Sequence, residues 1–542
     1  MCPIFCRLPP RAAHLLSLCL ALSPLACLRQ PPGYPPSELA NPPPLQRWEE
    51  EASAFVKTQN TLLWQHWTLG KPLALDAAYA PFETLFSEST WRQMQNLPRP
   101  ESSAQACTLQ KLQALVLGEL LAHKLREPNN AVARLENTLT VMYEAKDFPW
   151  HELGRLLAHE KNAAHRKNLW LDSLQAATPL DLALQTRQQK TTEALQSLGV
   201  DETFATQLFR EVDLGELSLR VQARLDTTQA QWCAQVQNMA AQQGNMHKAS
   251  RADLPFFFQA KPRDAHHHFP SAQQAALADA VFERLGLWPT PQLIRHVGIT
   301  QIYPPLPLAL NGGLEASRLS FTPAQGPHSL QQLLGEMARA LSWTYVAPNQ
   351  WACRHLGPPI MSHAAALLFV KLAQNKTWLE EQAVPESTAK AWEQAFLAQA
   401  EFEFRKTAAL FLSQQASSTL APETASKNHV AIQAEVLCTQ PLQAEEIRWR
   451  VDSEAFFATT DKLRSALLAE HMWEYLSQRF GETWWHRPEA GAWLKTLWQE
   501  GNAVPAELLL ERFKIPAPSP LLASLPPHNK MLNPICPPHT AL

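Results

Sequence analysis

The sequence predicts a large, mainly α-helical protein, and three observations favour that fold class. Glycine is sparse, at 17 of 542 residues, which argues against an architecture built from hairpin-rich sheets. Long stretches rich in Leu, Ala, Gln and Glu carry apolar residues at intervals of three and four, as amphipathic helices require. The 44 prolines of the chain include several that stand at the joints between these stretches.

The N-terminus predicts an export signal. Arg7 and Arg11 precede an apolar run that ends at Cys27, and this run is shorter than the ~20 apolar residues of a membrane span. We assign residues 1–27 to a signal peptide and residues 28–45 to a proline-rich linker. The chain is therefore expected to be exported, to the periplasm or the cell surface.

Cys27 is also a candidate for lipid attachment. It ends the sequence "PLAC", which resembles a lipoprotein signal, although Pro24 stands where a branched apolar residue is usual. A lipid-anchored form and a form without the lipid both stay open. Such an anchor is the one membrane contact that the sequence suggests.

After the linker, segments with a helical pattern follow one another with short gaps between them. In the N-terminal half they cover 46–69, 106–126, 129–145, 151–175, 180–198 and 202–241. In the C-terminal half they cover 272–287, 329–347, 359–375, 387–416 and 453–513, and the alternating segment "SRLSF" at 317–321 predicts a short strand. One helical domain is thus expected over residues 46–514, followed by a proline-rich tail at 515–542.

Charge and cysteine usage exclude several classes of function. Lys and Arg number 47 against 50 Asp and Glu, and no basic run is interleaved with aromatic residues, so a nucleic-acid partner is not expected. The five cysteines beyond Cys27 are scattered and without CxxC spacing, so they form no zinc knuckle and leave any disulfide pairing open. They are Cys107, Cys233, Cys353, Cys438 and Cys536.

The helix at 329–345, "SLQQLLGEMARALSWTY", has a regular apolar face. Leu330, Leu334, Met337 and Leu341 recur at helical spacing, which predicts that this face is buried. Glu336 and Arg339 are three residues apart, the spacing of a surface ion pair worth a few tenths of a kcal/mol. Taken alone, this segment is an ordinary core helix.

The order of segments around this helix carries a resemblance to a known family. "RHLGPPIMSHAAALLFVKLAQNKTWL" comes next at 354–379, "RFGETWW" and "EAGAWLKTLWQEG" come near the end, and Phe269 and Pro270 precede a helix. This arrangement resembles the gluzincins, the helical zinc metallopeptidases of the thimet-oligopeptidase and angiotensin-converting-enzyme kind, and especially their bacterial oligopeptidase-like branch. The resemblance covers roughly residues 100–514. It implies a two-lobed helical fold with a central cleft and a short β-sheet next to the former zinc helix.

In that family, zinc is held by a His-Glu-x-x-His helix and by a glutamate from the following helix. The corresponding positions here read Gly335, Glu336 and Arg339, and the third-ligand position falls at Ser362 or His363. Only the glutamate that activates water remains. Arg339 places a permanent positive charge where the resemblance puts the cation, because a guanidinium does not deprotonate in proteins. The C-terminal stretch at 456–466 also lacks the tyrosines that steady the oxyanion in the family.

These departures predict an exported, catalytically inactive metallopeptidase homologue, a pseudopeptidase, without a cofactor. A peptide or a protein partner is expected in its cleft. One alternative is an active zinc metallopeptidase with a metal site rebuilt from Glu336 and the histidines His328, His355 and His363. Another is a non-catalytic helical scaffold protein of the cell envelope.

Two further histidine-containing groups are not expected to act. His266, His267 and His268 are adjacent in a loop, and such runs bind metal only adventitiously. Ser362 and His363 are neighbours on a helix, so they do not face each other as a hydrolase dyad would.

Overall fold

The computed structural model describes residues 44–73, 78–98, 100–243, 249–259, 267–297, 308–311 and 316–512. The predicted signal peptide with Cys27, nearly all of the linker and the proline-rich tail with Cys536 lie outside these ranges. Among the described residues, none of the helices combines the length and the apolar character that crossing a membrane requires.

In the described part of the N-terminal half, a series of helices is interrupted by a hairpin. The helices are α1 Pro44–Leu69, α2 Glu88–Asn96, α3 Ser103–Lys124, α4 Arg126–Thr138, α5 Leu153–His159, α6 Ala163–Ala176, α7 Thr178–Ser197, α8 Glu202–Arg210, α9 Leu214–Gln242 and α10 Leu254–Phe257. The hairpin strands are β1 Thr140–Tyr143 and β2 Lys146–Pro149, which pair antiparallel.

The predicted helix at 129–145 is wrong in its second half. Helix α4 ends at Thr138, and "TVMY", which is rich in β-branched and aromatic residues, forms β1 instead. Glu144 and Ala145 make the two-residue turn, both with positive φ (49° and 60°). Such turns usually carry Asn-Gly or Asp-Gly, so the sequence lacked the hairpin signal.

The predicted block at 202–241 divides into α8 and α9. Glu211 adopts a left-handed conformation (φ 53°) and ends α8. Asp213 then caps α9, because its Oδ1 accepts a hydrogen bond from the backbone N–H of Glu216 at 2.9 Å.

A three-stranded sheet lies between the two halves of the sequence. Its strands are β3 Leu293–Val297, β4 Leu308–Leu310 and β5 Ser317–Phe321, in the order β3-β5-β4. The predicted strand at 317–321 is confirmed as the central one. It pairs parallel with β3 and antiparallel with β4, so β4 forms an edge of this sheet.

The C-terminal half is again helical. Its helices, together with the one that precedes the sheet, are α11 Ser271–Arg284, α12 Pro327–Thr344, α13 Trp351–His355, α14 Ile360–Leu372, α15 Lys376–Glu381, α16 Glu386–Ser417, α17 Pro422–Leu437, α18 Arg448–Val451, α19 Thr459–Phe480, α20 Pro488–Trp498 and α21 Ala506–Arg512. The predicted block at 453–513 divides at Gly481, whose φ of 90° ends α19.

Two apolar cores meet around the connection between α12 and α14. The C-terminal core contains the sheet and the buried faces of α11, α12, α14, α19 and α20. The N-terminal core contains α1, α2, α3 and α8, and it also takes in Trp351, Ala352 and Leu356 from that connection. The connection therefore leaves one core and enters the other.

Two disulfides link distant segments. Cys107 pairs with Cys353, with a Cα–Cα distance of 5.4 Å, and Cys233 pairs with Cys438 at 5.3 Å. Each bond joins the N-terminal half of the chain to the C-terminal half. The sequence left this pairing open, because the partners are 246 and 205 residues apart.

Candidate functional site

Helices α12 and α14 carry the residues at the motif positions, and they pack against each other inside the C-terminal core. Proline at the start of α12 and the apolar residues along α14 suit two buried, well-formed helices. The two helices approach each other closely at Gly335. A Cβ atom placed on Gly335 would lie 2.9 Å from Val370 Cγ2 and 3.4 Å from the backbone oxygen of Ala366.

This close approach decides what the first-ligand position can hold. A carbon atom at 2.9 Å from another carbon is well inside van der Waals contact, so even an alanine would require the Val370 side chain or the helices to shift. A histidine at residue 335 would need considerably more space. The position is therefore used for helix packing.

The predicted pair of Glu336 and Arg339 exists, but it is buried, and the expectation of a surface pair was wrong. An Nη2 atom of Arg339 lies 3.2 Å from Oε1 of Glu336, and their side chains are only 13% and 6% exposed. The periodicity of α12 could not reveal this, because the sheet covers the face on which the pair lies. Low solvent access strengthens the attraction within the pair beyond that of a surface pair.

The carboxylate of Glu336 has a second partner. The backbone N–H of Ala309, on the edge strand β4, donates a hydrogen bond to it. Burial raises the pKa of Glu336, while the charge of Arg339 and the Ala309 hydrogen bond oppose that rise. The sequence offered no signal for Ala309, since a three-residue strand is too short to show alternation.

The two candidates for the third-ligand position differ in their surroundings. Ser362 is buried, and its hydroxyl donates a hydrogen bond to the carbonyl oxygen of Pro359 at 3.1 Å. This hydroxyl therefore stabilises the first turn of α14. Burial holds the pKa of His363 well below its usual range, and the positive charges of Arg339 and Lys462 lower it further. His363 is therefore a neutral imidazole near Arg339.

The residues at these positions do not fit a zinc ion. Gly335 supplies no ligand and has no room for one, and Arg339 brings a cation that would repel the metal. Within the described ranges, no three His, Cys, Asp or Glu side chains come together in a way that could hold a metal.

The histidines of the rebuilt-site alternative lie in different places. His328 contacts the ring of Phe396 on α16, and His355 stacks on Trp351, which belongs to the N-terminal core. His268 contacts Trp392, His267 is exposed, and His266 lies outside the described residues. The positive charge of Arg339 lowers the pKa of His363, so these two side chains are neighbours.

The stretch at 456–466 begins with a strained turn at Phe456 and Phe457 and continues as the first turns of α19. Phe456 and Phe457 both have positive φ (49° and 55°), which costs of order 1–3 kcal/mol for each such residue. Arg210 holds this turn, because its Nε donates to the Phe456 carbonyl at 2.9 Å and its Nη1 lies 2.7 Å from Asp461.

A serine, a histidine and an aspartate also meet elsewhere in the fold, which the sequence did not predict. The Ser413 hydroxyl lies 3.2 Å from Nδ1 of His429, and Nε2 of His429 lies 3.5 Å from Asp452. All three side chains are buried, and Asp452 is also paired with Arg251 and Arg448. This group joins helices in the interior, and a substrate could not reach its hydroxyl.

A small, half-open pocket lies beside the first turn of α14, and its empty volume of about 290 Å³ includes space open to solvent. Its polar lining includes Glu211, Arg464 and Asn502. The carboxylate of Glu211 is paired with Lys111 at 2.6 Å, and Arg464 is paired with Glu507 at 2.8 Å. These charges are satisfied within the protein, so the pocket offers no unpaired ionic group from these two residues.

Comparison with known proteins shows the fold. The chain matches no protein-family profile and no curated protein sequence. It is similar to a solved structure of a protein assigned as an oligoendopeptidase F, with a TM-score of 0.60 and 13% identity, covering 89% of this chain and 94% of that one. It is also similar to a structure of Pz peptidase A with an inhibitor, with a TM-score of 0.60 and 12% identity, covering 88% and 92%.

These similarities confirm the predicted fold class. The chain has the mainly α, oligopeptidase-like fold, with a short sheet beside α12. The likeness extends over nearly the whole length of both solved proteins.

Proposed function

We propose that this chain is an exported, catalytically inactive peptidase homologue, a pseudopeptidase, that binds a peptide or a protein partner. The observation that carries the proposal is how two residues of α12 are used. Gly335 packs directly against Val370, and Arg339 pairs with Glu336 inside the core.

The chemistry of peptide hydrolysis explains why these two features matter. A metal-dependent peptidase needs a bound cation to lower the pKa of water and a carboxylate to take its proton. Here Glu336 is occupied by Arg339 and by the N–H of Ala309. A guanidinium cannot act as a Lewis acid toward water, so the retained glutamate has no activated water to deprotonate.

Export is supported by the apolar N-terminal run and by the two disulfides. Disulfides persist in oxidising compartments and are rare in reducing ones. Cys107, Cys353, Cys233 and Cys438 are all used in the two bonds. A lipid anchor on Cys27 belongs to the same proposal and would hold the domain at a membrane surface.

The peptide or protein partner is supported by the preserved fold. A solved relative in fold was obtained with an inhibitor, and the present chain keeps that fold over 88% of its length. A binding surface can outlast the catalytic groups, because shape and hydrogen bonding to a peptide backbone do not require a metal.

A second candidate function is a non-catalytic scaffold of the cell envelope. The burial of Glu336 and of its hydrogen-bond partner Ala309 favours it, because these two residues are only 4% and 6% exposed. A site that is closed in this way needs an opening movement before a peptide can reach it. The third candidate, an active enzyme with a rebuilt metal site, would require ligands other than Gly335 and Arg339.

Peptide binding and cleavage by the purified chain distinguish the three functions. The full chain, produced without a histidine tag, is incubated with a library of labelled peptides, and binding is measured by fluorescence anisotropy and cleavage by mass spectrometry. We expect binding without cleavage, weakened in Arg339→Gln and unchanged in Arg92→Gln, whose arginine lies on the surface with its side chain 70% exposed.

The other two outcomes would overturn the proposal. Cleavage that a chelator abolishes would identify an active metallopeptidase. Neither binding nor cleavage, from a protein shown to be folded, would identify a scaffold.

A further inference from the structure

The short helix α13 lies on the connection between the two helices of the candidate site. Helix α12 ends at Thr344 and α14 begins at Ile360, and both belong to the C-terminal core. Between them, Trp351 and Ala352 are 5% and 0% exposed and pack in the N-terminal core with α1 and α3. The connection is therefore buried in a core other than that of the helices it joins.

Three contacts hold α13 in the N-terminal core. Cys353 is bonded to Cys107 of α3. The backbone N–H of Ala352 donates to the carboxylate of Glu49 on α1 at 2.8 Å. Burial of Trp351 adds an apolar contact in the same place.

The residues that follow α13 also pack closely against the N-terminal half. Gly357 has a φ of 100°, and a Cβ atom there would lie 2.5 Å from Nζ of Lys111. Lys111 in turn forms a buried pair with Glu211, with an Nζ–Oε1 distance of 2.6 Å. Gly357 is thus the residue that lets the chain pass over this ion pair on its way to α14.

The other side of α13 is fixed to the C-terminal half. The backbone N–H of Asn502 donates to the carbonyl oxygen of Arg354 at 2.8 Å, and the Arg354 side chain donates to the Gln499 carbonyl at 2.6 Å. Helix α13 thus contacts both halves of the molecule.

We propose that α13, with the Cys107–Cys353 bond, is a strap that fixes the positions of α12 and α14 relative to the N-terminal core. Any movement that separates the two cores must pull on the connection between the site helices. The bond therefore limits movement of the ends of α12 and α14 that adjoin the connection. The strap depends only on these contacts, and it would act whether or not a peptide binds.

The second disulfide is a matched control. The Cys233–Cys438 bond joins α9 to the end of α17, away from α12 and α14. Its loop of 205 residues is close in length to the 246 residues that separate Cys107 and Cys353. Because loop-closure entropy depends on the logarithm of loop length, the two bonds should contribute nearly equally to global stability.

Hydrogen exchange measured by mass spectrometry tests the strap on the full oxidised chain. In Cys107→Ser/Cys353→Ser we expect amide exchange to rise by about tenfold or more over 351–358 and over the adjoining ends of α12 and α14. In Cys233→Ser/Cys438→Ser these segments should keep their protection. Equal protection of 351–358 in the wild type and in the first variant, or an equal loss in both variants, would overturn the proposal.

A milder substitution covers the case in which the first variant does not fold. Glu49→Ala removes one acceptor of the strap and leaves both disulfides in place. We expect a smaller rise in exchange, confined to 351–356. Unchanged protection of this segment in Glu49→Ala would contradict the inference by itself.

Discussion

Two buried arginine–carboxylate pairs in this molecule differ in what they connect. Arg166 is fully buried and pairs with Asp253, 87 residues away, with an Nη2–Oδ1 distance of 2.8 Å. It also donates to the carbonyl oxygens of Glu160 and Lys161. Arg339 pairs with Glu336 one turn away on its own helix.

The difference indicates two reasons for burying a charge. Arg166 cross-links segments that are distant in sequence, so its role is to hold the fold together. The ion pair of Arg339 adds no such link, and it occupies the positions where the family resemblance puts the catalytic base and a metal ligand. The first pair is structural, and under the proposed function the second is the modified remnant of a reaction centre. Substitutions at the two pairs, and at the helix contact beside the second, separate these roles.

The largest loss of stability is expected when the pair of Arg166 and Asp253 is broken. Arg166→Ala leaves Asp253 buried without its cation, and breaking such a pair costs about 3–5 kcal/mol. The free energy of unfolding, from urea titration followed by tryptophan fluorescence, measures this loss. Arg92→Ala, on the surface, should stay within about 0.5 kcal/mol of the wild type. A loss below about 1 kcal/mol in Arg166→Ala would show that the network is dispensable.

A smaller but still clear effect is expected at Gly335. Gly335→Ala puts a methyl group 2.9 Å from Val370 and should cost about 1–3 kcal/mol, even though alanine favours a helix. Gly154→Ala is the matched control, because a Cβ atom there meets nothing within 4 Å, and it should be neutral or stabilising by up to about 1 kcal/mol. Adding Val370→Ala should recover part of the loss at Gly335. Equal stability of the two alanine variants would mean that α12 and α14 are not in close contact.

Breaking the ion pair of α12 should lower the free energy of unfolding by about 1–3 kcal/mol, and this loss should depend on pH. Arg339→Met leaves the Glu336 carboxylate buried without its cation, so it destabilises the fold at neutral pH. Burial raises the pKa of Glu336, and removing Arg339 raises it further, so the folded state binds the proton more tightly than the unfolded state. The deficit of the variant should therefore shrink as the pH falls toward about 4.5. A deficit that is constant with pH would exclude this electrostatic explanation.

The smallest change in stability is expected from a substitution of His363. Its pKa is held well below the usual value, so the unfolded chain takes up a proton below about pH 6.5 while the folded chain does not. Stability is therefore lost as the pH falls from about 7 to 5. In His363→Gln this loss should be smaller than in the wild type, as thermal unfolding at several pH values would show. An unchanged pH profile would mean that His363 titrates normally.

The sequence carried enough information for the fold class because helical periodicity is a local property. The strand at 317–321 and the long helix α16 lie where the patterns put them, since alternation and 3.6-residue spacing show within a few turns. The hairpin at Thr140–Pro149 was missed because Glu144 and Ala145 are unusual residues for its turn.

The candidate site was predictable in its residue types and unpredictable in its environment. The residue types at Gly335, Glu336 and Arg339 can be read from the motif spacing alone. That Val370 fills the space beside Gly335, and that Ala309 donates to Glu336, depends on contacts between segments distant in sequence. The same holds for the two disulfides, whose partners are separated by more than 200 residues.

The metal content of the purified chain tests the central claim most directly. The full chain, made without a histidine tag, is dialysed against a slight excess of zinc, then against buffer, and its zinc is measured by elemental analysis. Because Gly335 offers no ligand and Arg339 brings a cation to the same place, we expect far less than one zinc ion per chain. One tightly held zinc ion per chain, lost in both Glu336→Ala and His363→Ala, would contradict the account.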